Sequence, residues 1–294
     1  MINQSTPKVV IDTEKQIIVD ELGLSNINTI KFIDIGWDNR VYFVSGADIV
    51  YKFPRTKKIG DNYNHEIAII NAIKNHHINI KTPQIVHVGK DNAYYAYRAL
   101  KGRLLSEMSS TLDEPTRVKI GSNLGDFLKI LHAVKVENAC KKSVDDEISQ
   151  LQKWSKVALR YIDSKTKKQT YNAILNHVQS TLPNTLRALS KTEGLCHGDF
   201  HGGNIIIHND LIGVIDFGDV AYMDTSKDFV GIEDDVILNA MYLAYGVNDE
   251  FKQKVTIRKH IFDYIRLSAN IGKNDWDGAD RAVKRIIESL KDYS

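Results

Sequence analysis

The apolar pattern of this chain changes period near Lys101–Gly102, and that change decides what it can fold into. Before it, the β-rich runs INTIKFID, RVYFV and DIVYKF lie between residues 27 and 53, with turn residues at Gly36–Asn39 and Ser45–Asp48 between them. Val, Ile, Tyr and Phe suit a pleated, half-buried surface, so these runs read as an antiparallel meander that Pro54 ends. QIVHVG and AYYAYRAL add two further strands. A helix is expected over 13–22, with Thr13 and Gln16 as a capping box and Gly23 as its stop. A second helix over 62–75 puts Ile67, Ile70 and Ile73 on one side, with Glu66 among them. Beyond Gly102 the spacing turns helical. Ile120, Leu124, Phe127, Leu128 and Leu131 mark a helix over 117–133, two more are expected within 144–181, and others from about 227 onward. Short strands return only between Leu195 and Gly218. The expected fold is therefore α+β, with a small antiparallel β-rich lobe over 1–101 and a larger, mainly α-helical lobe over 102–294 that carries a helical insertion at about 140–190.

Composition removes several classes of partner. Thirty-nine basic residues against thirty-seven acidic ones leave a formal charge of +2, which gives no footprint for nucleic acid. No apolar run is long enough to span a membrane, and the start MINQSTPKVV has neither the basic nor the apolar part of a secretion signal. Two cysteines, Cys140 and Cys196, make no disulfide framework. The expectation is a cytoplasmic protein.

The chemistry concentrates in CHGDFHGGNIIIHNDLIGVIDFGD, residues 196–219. Ile205–Ile207 and Leu211–Ile215 read as the arms of a hairpin around His208-Asn209-Asp210. With the turn centred on Asp210, Asn204 and Asp216 would face each other at its open end, an amide oxygen and a carboxylate suited to Mg²⁺. Asp199, five residues before Asn204, adds a carboxylate able to accept a proton. Asp-x4-Asn followed by Asp-Phe-Gly across a hairpin is the arrangement protein kinases use, the first Asp orienting the attacking hydroxyl and the other two residues holding metal. His197 and His201 lack the glutamate and the helix of a zinc site, so His197 is expected to orient the loop. In the first lobe, Lys52 is placed to reach nucleotide phosphates, with Glu66 as the partner that holds it. Gly36 and Asn39 stand where a glycine-rich phosphate loop would lie, although a plain hairpin turn explains them nearly as well.

These residues resemble the aminoglycoside phosphotransferase family, the small-molecule branch of the protein-kinase-like fold. The resemblance runs through Gly36-x-x-Asn39-x-Val-Tyr, Val50-Tyr-Lys52-Phe-Pro-Arg, Glu66, Arg98-Ala-Leu-Lys-Gly102, Leu131-His132-Ala, His197-Gly-Asp199-Phe-His-Gly-Gly-Asn204 and Ile215-Asp216-Phe-Gly-Asp219. It implies transfer of the γ-phosphate of ATP or GTP, with Mg²⁺ on Asn204 and Asp216 and Asp199 as the catalytic residue. It also implies that Arg98, Ala99 and Leu100 bind the purine through backbone groups. No Ala-Pro-Glu follows Asp216-Phe-Gly, so no protein substrate is expected, and Gly202 replaces the usual proline of the loop. The family also holds kinases of choline, homoserine and macrolides. A pseudokinase would lack a metal ligand or the strand lysine, and here Lys52, Glu66, Asp199, Asn204 and Asp216 are all present.

For the acceptor, Asp219, Asp224, Asp228 and Glu233-Asp234-Asp235 form an acidic series that a polycationic aminoglycoside would favour. Acidic residues in a first helical turn also complement the helix dipole without any ligand. The segment from Asp228 to Asp235, with Asn274-Asp-Trp276, resembles the subfamily that phosphorylates the 2″-hydroxyl of aminoglycosides. That resemblance implies that Glu233, Asp234, Asp235 and Trp276 meet the drug, and the acidic series adds Asp219. Trp276 reads equally well as an aromatic packed on a surface helix.

Overall fold

A computed structural model describes residues 6–34, 38–74, 76, 80–137, 139–189 and 191–293. The first helix, α1 (Lys8–Leu22), starts five residues earlier than the capping box suggests. Pro7 stands at its N-cap, where a missing N–H costs nothing, and Thr13 lies inside the helix with its hydroxyl donating to the Val9 carbonyl at 2.8 Å. Gly23 ends it with φ +60°. Next come β1 (Ile30–Ile33), β2 (Asn39–Val44), β3 (Ile49–Pro54), α2 (Lys57–Asp61), α3 (Tyr63–Lys74), β4 (Ile80–Lys81), β5 (Gln84–Val88), β6 (Tyr95–Arg98), β7 (Arg103–Leu104) and α4 (Leu105–Met108). Five of these strands form an antiparallel sheet in the order β1-β2-β3-β6-β5. Alternation along the central strand β3 assigns its faces. Ile49, Tyr51 and Phe53 pack with Ile18 of α1, whereas Val50 joins Tyr63 of α3, and Lys52 shares that side.

The chain then runs through α5 (Glu114–Ala133), α6 (Val144–Lys165), α7 (Lys168–Asn176), α8 (Leu182–Ala188) and β8 (Glu193–Cys196) before the hairpin β9 (Ile205–His208) and β10 (Leu211–Val214). It finishes with β11 (Ala221–Asp224), α9 (Asp235–Tyr245), α10 (Asp249–Gly272) and α11 (Trp276–Ser289). Two compact units result, one of Asn3–Met108 with Gly203–Asp219, the other of Ser109–Gly202 with Val220–Ser294. The hairpin belongs to the first because β9 pairs with β7 and β10 pairs with β4. Gly102 permits that pairing: its φ is +139°, and a Cβ there would stand 2.4 Å from the Ile207 carbonyl oxygen.

In the second unit α5 and α9 pack backbone to backbone. A Cβ on Gly121 or Gly125 would come within 2.4 Å of the Ile237 oxygen or 2.6 Å of the Met241 oxygen. An apolar core joins α6, α7, α8, α10 and α11. No helix among the described residues is long and apolar enough to cross a membrane.

His177 sits in this core, in a single π turn over His177–Thr181. Its Nδ1 lies 3.1 Å from the Tyr264 hydroxyl, and its buried Nε2 has no hydrogen-bond partner. Burial, reinforced by the nearby His260, pushes its pKa down to about 4 from the usual 6.5. In the unfolded chain the imidazole takes a proton as pH falls below about 6.5, while the folded state refuses it until about 4. Stability is therefore expected to fall on acidification across that window, by on the order of 3 kcal/mol. Urea midpoints between pH 7 and pH 4.5 test this. His177→Phe should flatten most of the fall, and an unchanged slope in that variant would refute the assignment.

Candidate active site

In the first unit the site forms around Lys52. Its Nζ is buried, 3.0 Å from Glu66 Oε1 on α3 and 3.0 Å from Asp216 Oδ1 beyond the end of β10. Tyr95 on the adjacent strand donates its hydroxyl to the same Glu66 oxygen at 2.7 Å. Burial opposes the ammonium, yet Tyr95, Glu66 and Asp216 together raise the Lys52 pKa well above the usual lysine range. The lysine is a permanent cation whose position is set from two sides.

The hairpin departs from the expected register. Leu211 pairs with His208 and Val214 with Ile205, so Asn209 and Asp210 form a two-residue turn, with Asn209 at φ +52°. One residue fewer in the turn shifts the pairing by one. The Asn204 carbonyl accepts from the Ile215 N–H at 3.0 Å, and Asn204 does not oppose Asp216. Asp216 instead leaves the strand with φ +68°, a left-handed conformation that Asp tolerates, and its half-exposed carboxylate meets Lys52. Asn204 is buried at the end of a 3₁₀ turn over Gly202–Asn204.

Of the other residues expected on the nucleotide side, Gly36 lies outside the described residues. Asn39 is buried, and its Oδ1 accepts from the Tyr63 hydroxyl at 2.6 Å. Arg98 is exposed at the end of β6, and the Ala99 N–H is committed to the Asp48 carbonyl at 2.8 Å. Leu100 packs on Gly213, where a Cβ would lie 2.7 Å from its Cδ1.

In the second unit Asp199 follows β8 on a loop held from beneath by Asp228. The fully buried Asp228 carboxylate accepts from the backbone N–H of His197 at 2.7 Å and of Gly198 at 2.9 Å. His132 Nε2 stands 3.0 Å from the same group, and its Nδ1 is 2.8 Å from the Tyr245 hydroxyl. Burial opposes ionisation of Asp228, but the His132 hydrogen bond and charge, with His197 and Gly198, hold its pKa below the usual carboxylate range. Asp199 itself is half exposed, with Oδ2 3.4 Å from His201 Nε2.

The acidic series divides. Asp228 is that brace, and Asp224 is buried in an ion network with Lys254 at 3.2 Å and Arg258 at 3.4 Å, so neither lines an acidic wall. An unpaired carboxylate is costly to bury, and both are retained inside by partners far along the chain. Asp219 is exposed in the first unit. Glu233, Asp234 and Asp235 stand at the start of α9, where Asp234 caps the helix through the Val236 and Ile237 N–H groups. An isolated bridge between His201 and Gly231 sets this segment beside the Asp199 loop, so close that a Cβ on Gly231 would stand 2.4 Å from the Phe200 oxygen. Trp276 is 51% exposed and stacks on Tyr161 of α6, with centroids 6.0 Å apart.

A family model described as the phosphotransferase enzyme family matches residues 29–247, well over half of the chain. The chain belongs to that family. Solved structures agree with this phosphotransferase in fold: APH(2″)-IIIa in its GDP and kanamycin complex superposes with a TM-score of 0.78 at 19% identity, covering 96% of this chain and 99% of the other. The gentamicin complex of APH(2″)-IIa gives 0.70 at 15% identity, with 97% of each chain covered. A macrolide 2′-phosphotransferase from Brachybacterium faecium gives 0.61 at 17% identity, covering 92% and 96%. The phosphotransferase is thus a two-lobed, kinase-like α+β protein.

Sequence reasoning missed two arrangements in this phosphotransferase, the pairing of two residues it names and a group of cations. One is the brace Asp228–His132, whose only local signal is an aspartate followed by apolar Phe229, Val230 and Ile232. The other is a group of cations facing the start of α9. Arg117 on α5 lies 3.2 Å from Asp234, and Arg266 on α10 lies 2.6 Å from Glu233.

Proposed function

We propose that the chain transfers the γ-phosphate of ATP or GTP to a hydroxyl of a small-molecule antibiotic, an aminoglycoside first. One observation carries the reading: a buried lysine held 3.0 Å from two carboxylates, one of them half exposed at the Asp-Phe-Gly segment. Phosphoryl transfer asks little covalent chemistry of a protein, so catalysis is positioning and charge. Lys52, held by Glu66, neutralises the donor phosphates. The backbone of Arg98–Leu100 receives the purine, and Gly36 and Asn39 border the phosphates. The Asn204 amide oxygen and the Asp216 carboxylate are hard donors of the kind Mg²⁺ takes, and Mg²⁺ held there supplies charge neutralisation at the phosphates. Asp199 aligns the acceptor hydroxyl and takes its proton as the oxygen bonds to the γ-phosphorus and the bond to the bridging oxygen breaks. Glu233, Asp234 and Asp235, with Asp219 and Trp276, receive the acceptor.

Structures of the same fold in complex with GDP and kanamycin and with gentamicin support this donor and acceptor. A second reading, the same transfer to a macrolide, is favoured by the ion pairing of Glu233 with Arg266, which leaves fewer carboxylates for a polyamine. A coupled assay of NDP release with Mg²⁺ and ATP or GTP separates these readings. The acceptors are kanamycin, gentamicin, a macrolide, choline and homoserine. Release stimulated by the aminoglycosides supports the first reading, and stimulation by choline or homoserine alone overturns it.

A further inference from the structure

The start of α9 carries three consecutive carboxylates beside the Asp199 loop, yet it is not an acidic wall. Arg266 Nη2 lies 2.6 Å from Glu233 Oε1 and stacks over Phe262 with its guanidinium 5.1 Å from the ring centroid, a second contact that fixes its direction. Its other neighbour, Asp263, is 4.0 Å away and already held at 2.6 Å by Arg285. Arg117 takes Asp234, which also caps the helix. Lys259, seven residues before Arg266 and so on the same side of α10, lies in the field of Asp235 and Glu233 without an ion pair to either. Burial lowers its pKa against the pull of those two carboxylates. Two of the three carboxylates are therefore ion-paired, and a third cation weakens the field around them.

We infer that Arg266, seconded by the charge of Lys259, determines acceptor specificity by acting as a resident counter-ion that an acceptor amine must displace from Glu233. The inference rests on the proposal that these carboxylates receive the acceptor. An ammonium that binds Glu233 gains one ion pair and forfeits another, so the net gain is small. An acceptor amine that seeks Glu233 meets this exchange, whereas an acceptor that does not place an amine there loses little. The pairing thus narrows the advantage that an acidic face would give a densely cationic acceptor over one of low charge. Glu233 is 74% exposed even while paired, so removing the resident cation frees its charge without moving the carboxylate.

The test is calorimetric binding of kanamycin, a polyamine, and of erythromycin, which has a single amine, to the full chain with GDP present. Arg266→Gln is expected to tighten kanamycin by up to about fivefold, the upper range for one exposed pair, and to move erythromycin by less than about twofold. Arg266→Gln with Lys259→Gln should tighten kanamycin further, to about tenfold. Arg266→Lys should restore the wild-type value, which a purely structural role of the guanidinium would not. Kanamycin binding that is unchanged or weaker in both variants overturns the inference. Wild-type protein that binds neither drug overturns it together with the acceptor assignment. Because the readout is binding, wild-type protein that binds kanamycin without phosphorylating it defeats only the transfer reading, and the expected tightening would still support the counter-ion role.

Discussion

Asp199→Asn is expected to lower kcat by about a thousandfold while the nucleotide Kd moves less than about threefold. Asparagine keeps the shape of the side chain but cannot accept a proton. The loop beneath depends on backbone N–H groups of His197 and Gly198 reaching Asp228, and the substitution touches neither. Lys52, Glu66 and Asp216 belong to the other unit and keep their contacts, so nucleotide binding should survive. Steady-state kinetics with a fluorescent nucleotide titration would measure both quantities. Turnover within about tenfold of wild type would remove Asp199 from the proposed role.

Asp228→Ala should have the largest effect on stability. It deletes a fully buried carboxylate that holds two backbone N–H groups and a histidine, leaving those donors unsatisfied in the interior. Loss of one partner from such a buried set costs about 3–5 kcal/mol. Asp228→Asn is the informative companion. Its volume is right, but its amide offers one acceptor oxygen where the native group offers two, so one N–H of the Asp199 loop is still orphaned. Urea unfolding should show a smaller loss for asparagine than for alanine, with turnover reduced in both. Full activity in Asp228→Asn would show that the loop holds its shape without the second hydrogen bond.

The sequence was most legible where the information is local. Alternating apolar residues made the β2–β3 arms readable, and because alternation puts Lys52 on the side of Val50, it also put the lysine toward the helix carrying Glu66. The start of α1 was misplaced because Thr13-x-x-Gln16 imitates a cap, whereas Pro7 sets the first turn and the threonine back-bonds inside the helix. The hairpin failed by one residue. His208-Asn209-Asp210 admits a two-residue or a three-residue turn, and only the pairing of β9 with β7 and of β10 with β4 selects between them.

The acidic residues from 219 to 235 divide the two kinds of knowledge most clearly. In the sequence Asp224, Asp228 and Glu233 are equivalent carboxylates. In the folded chain Asp224 is enclosed by Lys254 and Arg258, Asp228 holds a backbone turn 30 residues upstream, and Glu233 stays at the surface paired with Arg266. By itself the sequence determined the main element types, the fold class and the family, because apolar period and motif spacing are properties of neighbouring residues. Only the tertiary structure decided which charges are buried, which are paired and with what. The energy of a charge depends on its distance to other charges and to water, and those distances are set by chain segments far apart in sequence.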